Sequence, residues 1–327
     1  MGQCINEKTG AVAEVNVLIT GYFTDYSKQR VTQAFPQDWR IQIVEPEQIE
    51  LFIKEANVLI PEHIQVNEEL LNKAHNLKFV QTGAGFDNVD IEACTKKNIW
   101  VSNAAGVNAN AVAEHIMALI LGYYKNISYL NQAMKNREDE TTLVYVGGEL
   151  AGKTIGTIGF GAIGSRVAEL AKAFRMKVLA YDNNPNRQSD DAEMIDLDTL
   201  IAQSDVITLN IFLNESTRHL VDKQFLAKMK SDALLVNTAR GPIICEEDLI
   251  EALKNNVIGG ACLDVFTREP LSVDSELRAL KNVVLTPHTA GMPDGTKFHE
   301  KRYQFFVENI DRIQRNETPH NHLNQLS

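Results

Sequence analysis

The stretch 153–174, KTIGTIGFGAIGSRVAELAKAF, decides the fold. It opens on a nearly unbroken apolar run, turns through GFGAIG, and continues into SRVAELAKAF, a segment of good helix formers. A strand without polar alternation is covered on both faces, as strands of parallel sheets are. Gly159, Gly161 and Gly164 punctuate the turn. The first permits a tight turn, the second lets a pyrophosphate approach the backbone, and the third lets helix and strand pack closely. The helix start offers free N–H groups and a positive dipole end to phosphates. Phe160, Ala162 and Ile163 complete this candidate cofactor loop. Asp182 ends the next apolar run, KVLAYD, where an acid accepts adenosine ribose hydroxyls. An acid there repels a 2′-phosphate, and Asn183, Asn184 and Pro185 bring no adjacent Arg, so NAD is expected rather than NADP.

Downstream the pattern repeats: DVITLN, ALLVNTA, GGACLDV and NVVLTPH are further apolar strands separated by helical segments. With KTIGTIGF and KVLAYD they make six strands of a doubly wound dinucleotide-binding sheet. Upstream, VNVLIT (15–20), IQIV (41–44), NVLI (57–60), LKFVQ (77–81) and IWVS (99–102) alternate with PEQIELFIKEA and NEELLNKAH. They predict a second parallel sheet covered by helices. The segment 103–130 reads as one long helix joining the two series. After the last strand, TKFHEKRYQFFVENIDRIQR places Phe298, Phe305, Ile310 and Ile313 near one helical face, expected to pack back on the first series. The polar tail from Asn316 is expected to fray. The fold class is therefore α/β with two parallel-sheet domains: residues 1–102 plus 292–327, and residues 103–291.

The bulk properties narrow the function. The chain has 327 residues, 44% hydrophobic and 23% charged, with a formal net charge of −11. No basic stripe marks a nucleic-acid binder. Cys4, Cys94, Cys245 and Cys262 form no CxxC or CxxH pair, which suggests neither a metal site nor a disulfide framework and makes a reducing, cytoplasmic setting the expectation. MGQCIN has Asn where a myristoylation signal wants Ser or Thr, and AVAEHIMALILGYY is too short to span a bilayer, so no membrane partner is expected.

Three short segments carry candidate chemistry: VNTARGP (236–242), DVFTREP (264–270) and LTPHTAG (285–291). Arg240 can bind a carboxylate with a charged fork. His288 can exchange the proton of a hydroxyl near neutral pH, and Glu269 can orient it and favour its charged form. Alone, Arg240 could form a surface ion pair, Glu269 could shape the turn before Pro270, and His288 could be structural. Arg240 and His288 follow strands whose carboxyl ends are where ligands collect in such sheets. His115 reads as a packed helix residue rather than a catalyst.

Together with TGAGFDNVD (82–90), NAVAEHIMALIL (110–121), GELAGKTIGTIGFGAIG (148–164) and STRHL (216–220), these segments make the chain resemble the D-isomer-specific 2-hydroxyacid dehydrogenases over nearly its whole length. The resemblance implies a flavodoxin-like substrate domain, a Rossmann NAD domain inserted into it, a cleft between them, and a homodimer. It assigns Arg240 to the substrate carboxylate and 2-oxo group and His288, with Glu269, to general acid/base duty. Thr82, Gly83, Ala84 and Gly85 would help hold the carboxylate; Thr238, Ala239, Asp264 and His288 would line the nicotinamide region. The implied reaction is hydride transfer between NAD(H) and a small D-2-hydroxy acid or its 2-oxo acid, of glyoxylate/hydroxypyruvate type or 3-phosphoglycerate type. The other reading is an NAD-sensing, corepressor-like dimer. The chain departs from the family pattern at Asn210, Phe212 and Asn214, where LHxPLT is common, and in NAAGVNA at the expected hinge. Gln81 and Thr82 stand where members acting on 3-phosphoglycerate often carry Arg.

Overall fold

The computed structural model describes residues 15–145, 147–292 and 299–326. Cys4, the MGQCIN segment and Phe298 lie outside them. Backbone contacts divide the chain into two compact units, residues 1–108 with 292–327, and residues 109–291. The first boundary thus falls at 108/109 instead of 102/103. Asn103 and Ala104 stay with the first unit because their N–H groups bond to Asn321 O (3.3 Å) and Gly83 O (2.9 Å).

Among the described residues the first unit is built on five strands: β1 (Asn16–Thr20), β2 (Arg40–Val44), β3 (Val58–Ile60), β4 (Phe79–Gln81) and β5 (Trp100–Ser102). They pair in parallel in the order β2-β1-β3-β4-β5, the flavodoxin-like arrangement. β3 and β4 are buried at every position, which explains their unbroken apolar runs. One face is covered by helix Glu300–Gln314, whose buried residues are Tyr303, Phe306, Asn309, Ile310 and Ile313. Phe306 rather than Phe305 is the fully buried phenylalanine of this helix, because it continues the three- and four-residue spacing from the equally buried Tyr303. Each such buried apolar side chain contributes about 1.5–3 kcal/mol.

The tail from Asn316 does not fray. Leu323 N–H bonds to Val101 O at 2.8 Å, and Asn324 Oδ1 accepts the Val101 N–H at 2.9 Å. Asn324 Nδ2 in turn reaches Thr95 Oγ1 and Ile99 O. Residues whose polarity suggested solvation are used as hydrogen-bond partners of a strand edge.

Among its described residues the second unit holds seven strands: β6 (Thr154–Ile158), β7 (Lys177–Tyr181), β8 (Glu193–Met194), β9 (Val206–Leu209), β10 (Leu234–Asn237), β11 (Gly260–Leu263) and β12 (Val283–Leu285). All pairings are parallel, in the order β12-β11-β10-β9-β6-β7-β8. This is a doubly wound sheet with one more strand than the six expected. β8 escapes a sequence reading because it has two residues, one of them an exposed Glu. The single helix expected over 103–130 is two, Ala109–Tyr124 and Ile127–Lys135. Asn126 breaks it by taking a left-handed backbone with φ 51°. Helix Ala109–Tyr124 packs against helix Ala162–Ala173 and buries Val112, Ala113, Ile116, Met117 and Ile120.

Candidate active site

The glycine loop lies between β6 and helix Ala162–Ala173, at the carboxyl end of a central strand. Gly159 has φ 89°, and a side chain there would run into the Asn210 backbone. At Gly164 a Cβ would collide with Gly159 O, so helix and turn meet without room for a methyl group. Beside Gly161 the space is open to 4 Å. This is the opening a pyrophosphate needs, above a helix start whose first N–H groups have no intrahelical acceptor. Asp182 follows β7 and closes the loop from the side: its Oδ2 accepts the Phe160 N–H at 2.8 Å and its Oδ1 the Asn184 N–H at 2.9 Å. Each oxygen keeps a further lone pair for a ribose hydroxyl. These residues fit a dinucleotide.

Asn210, one of the departures from the family pattern, is turned inward. Its Nδ2 donates to Thr157 Oγ1 and Thr208 Oγ1, both at 2.8 Å, so it fastens β9 to β6 beside the glycine loop. Phe212 is largely exposed.

The Arg240 segment follows β10 directly. Asn237, fully buried, accepts the Ala239 N–H at 3.0 Å and donates to Arg240 O at 2.9 Å, which shapes the turn through Thr238. Gly241 lies so close to the Phe266 backbone that a Cβ could not be accommodated. That contact brings the Arg240 and Glu269 segments together, and a single glycine between Arg and Pro was its only trace in the sequence.

His288 and Glu269 meet: Nδ1 of His288 lies 2.7 Å from Glu269 Oε2, while Glu269 Oε1 accepts the Phe266 N–H at 3.0 Å. Burial pushes the Glu269 carboxyl up. The hydrogen bond from His288, its charge, the Phe266 N–H and the Arg240 guanidinium outweigh that and hold it below the usual carboxylate value. His288 itself occupies a left-handed backbone, φ 55°, a conformation that side-chain-bearing residues adopt only when their surroundings enforce it.

Asp264 supplies much of that enforcement. Its backbone oxygen accepts the His288 N–H at 2.8 Å. Its carboxylate, fully buried, accepts from Thr286 Oγ1 (2.5 Å), Thr289 N–H (2.9 Å) and Ala290 N–H (2.9 Å). His115 Nε2 stands 3.1 Å from Thr286 Oγ1 and 3.6 Å from Asp264 Oδ1. The sequence marked His115 as packing alone; the fold puts it in the polar network under the His288 turn.

In the first unit, Thr82 N–H bonds to Ser102 O at 2.9 Å, and Asn103 Nδ2 and Ala104 N–H hold the carbonyls of Ala84 and Gly83. The carbonyls are thereby occupied, whereas the N–H groups of Gly83, Ala84 and Gly85 have no acceptor among the described residues. Free N–H groups of this kind are donors that an anion can take.

Residues 117–290 match the family model described as D-isomer specific 2-hydroxyacid dehydrogenase, NAD binding domain. The chain belongs to the D-isomer-specific 2-hydroxyacid dehydrogenases. Among its relatives, the glyoxylate reductase of Thermococcus litoralis is 37% identical over 274 residues, covering 80% of this chain and 81% of that protein. The hydroxypyruvate reductase of Thermotoga maritima is 37% identical over 274 residues, covering 83% and 88%. The structure of D-lactate dehydrogenase from Aquifex aeolicus complexed with NAD and lactic acid superposes with a TM-score of 0.82 at 29% identity, covering 95% of this chain and 100% of that one. The chain is thus an NAD-dependent oxidoreductase of this family, with a Rossmann-type NAD domain. Among the described residues no helix is long and apolar enough to cross a membrane.

Proposed function

We propose that the protein reduces a small 2-oxo acid to its D-2-hydroxy acid, with His288 as general acid, Glu269 as its partner and Arg240 as the carboxylate-binding residue. The observation that carries this reading is the 2.7 Å contact between His288 and a carboxylate held ionised beside Arg240. With Nδ1 committed to Glu269, Nε2 is the nitrogen left to exchange a proton with the C2 oxygen. Gly159, Phe160, Gly161, Ala162, Ile163, Gly164 and Asp182 would hold NADH, which when bound would supply the hydride. Thr238, Ala239 and Asp264 shape the nicotinamide end, Asp264 by holding the His288 turn. In the reductive direction His288 gives its proton to the oxygen as negative charge develops there, and Glu269 stabilises the imidazolium that must precede this step. In oxidation neutral His288 removes the hydroxyl proton. On the second unit Arg240 offers a charged fork to a substrate carboxylate; on the first, the N–H groups after Thr82, at Gly83, Ala84 and Gly85, offer donors to one.

The substrate type, of glyoxylate/hydroxypyruvate or 3-phosphoglycerate kind, is proposed from relatives named glyoxylate reductase, hydroxypyruvate reductase and D-3-phosphoglycerate dehydrogenase. An NADH-oxidation screen over 2-oxo acids, repeated with His288→Gln, tests it. Reduction lost in the variant, by about 10²- to 10⁴-fold, supports the assignment; unchanged turnover would remove His288 from the mechanism. We further propose a homodimer, supported by the exposed Ile127, Tyr129, Met134, Val144 and Tyr145 in one stretch of the second unit. Light scattering showing a monomer at micromolar concentration would refute it. The unpaired, buried thiols Cys94 and Cys262 support a cytoplasmic location, checked by cell fractionation.

A further inference from the structure

Arg302 is an unusual residue to find inside a parallel-sheet domain. It sits in the first turn of helix Glu300–Gln314, and its side chain neighbours Glu62, which follows β3, and Gly83, which follows β4. One guanidinium nitrogen, Nη2, donates to Glu62 Oε1 at 3.0 Å and to Tyr303 Oη at 3.3 Å. Glu62 follows β3 and is fixed by a pair of hydrogen bonds with Thr20, the last residue of β1: Glu62 N–H to Thr20 Oγ1 at 3.0 Å, and Thr20 Oγ1 to Glu62 O at 2.9 Å. The guanidinium carbon stands 5.2 Å from the Tyr303 ring centre and 5.7 Å from that of Phe306. The cation is therefore clamped in place by a carboxylate and two aromatic faces.

The rest of its donor capacity is unspent. Nε is buried with no hydrogen-bond partner. Nη1 makes no hydrogen bond to a described residue, and it lies 3.8 Å from where a Cβ of Gly83 would be. Gly83 is the first of the three residues whose N–H groups lack acceptors. The cation is held firmly and keeps Nη1 to spare in a side chain that is 21% exposed, which suits it to an anion from outside the protein. Its place agrees with the general rule for open α/β sheets. Ligands lie outside the carboxyl ends of the strands where the order reverses, here between β1 and β3.

We infer that Arg302 is a specificity residue that selects 2-oxo acids carrying a second anionic group, a carboxylate or a phosphate, at the end distal to the 2-oxo acid function. This rests on the reading that the Gly83–Gly85 loop receives the substrate. The loop N–H groups take the first carboxylate, and Nη1 of Arg302 then offers a charged donor next to them. Glu62 sets the strength of that selection, since it neutralises part of the cation.

The experiment compares kcat/KM for NADH-dependent reduction of matched pairs: 2-oxopentanoate against 2-oxopentanedioate, and hydroxypyruvate against 3-phosphohydroxypyruvate. The wild type should prefer the dianion of at least one pair by about tenfold or more, and which pair shows it tells carboxylate from phosphate. Arg302→Met should collapse the ratio, with Arg302→Lys retaining part of it. Glu62→Gln should raise the ratio, an effect that a merely structural ion pair does not produce. Thermal melts of each variant establish that it folds; should Arg302→Met fail to fold, Glu62→Gln and Arg302→Lys carry the test. A ratio unchanged across these variants, or a wild type preferring monoanions in both pairs, overturns the inference while leaving 2-oxo-acid reduction intact. A wild type that binds NADH yet reduces no 2-oxo acid overturns the proposed function and this inference with it.

Discussion

Nδ1 of His288 lies 2.7 Å from Oε2 of Glu269, and the other oxygen of that carboxylate is held by the Phe266 N–H. Replacing Glu269 by Gln keeps the shape and removes the charge. We expect kcat to fall by about tenfold or more, because the imidazolium loses its counter-charge. The native Glu269 carboxyl is held below its ordinary value. Its contribution to stability is therefore present above the unfolded carboxylate value, about 4.3, and is lost as pH falls through the lower native value. Urea unfolding of wild type and Glu269→Gln between pH 3 and pH 7 checks this. An equally steep acid decline in both proteins would contradict it.

Arg240 couples electrostatically to Glu269 and ends a turn fixed by the buried Asn237. A lysine there keeps the charge but not the planar fork. Arg240→Lys should raise KM for the 2-oxo acid and lower kcat/KM by about 10- to 100-fold, with NADH affinity little changed. Steady-state kinetics in both substrates separates these effects; an equal loss in NADH binding would move Arg240 out of the substrate site.

Asp182 joins the end of β7 to the glycine loop through the Phe160 N–H. Asp182→Ala should weaken NADH binding by about tenfold or more, read by fluorescence titration. If ribose recognition is its role, the loss for NADH should exceed any loss for NADPH, whose 2′-phosphate the acid repels. Equal losses would reduce Asp182 to a loop fastener.

Asn309 is fully buried, and its Nδ2 contacts Gln81 Oε1 (2.8 Å) and Ser102 Oγ (3.0 Å), while its Oδ1 accepts the His320 N–H at 2.7 Å. Asn309→Leu leaves Gln81 Oε1 buried without that partner and takes one hydrogen bond each from Ser102 Oγ and the His320 N–H. It should cost about 2–4 kcal/mol of stability, measured by denaturant unfolding. A loss below about 0.5 kcal/mol would mean that water replaces the side chain.

Both sheets were legible because continuous apolar strands and glycine turns are local signals. β6, its loop and the following helix could be placed from 153–174 alone. Arg240, Glu269 and His288 were legible as chemistry because each follows or adjoins a strand end. What escaped depends on partners distant in the chain. β8 is too short to show a period. Asn126 breaks a helix through its backbone conformation, which its neighbours do not announce. The roles of His115 and Arg302 come from Thr286, Asp264, Glu62 and Gly83, which only folding brings to them. The tail after Asn316 looked disordered because polarity alone does not tell water from a strand edge as partner.

That tail does more than finish the chain. β5 is the last strand of its sheet, and its outer side presents Val101 and its neighbours as open pairing groups. Leu323 and Asn324 occupy them. An uncovered edge is a template for pairing with another molecule, so the C-terminal residues serve as a guard against self-association. Shortening the protein at Asn316 would then show itself first as aggregation on storage or refolding, before any change in chemistry at His288.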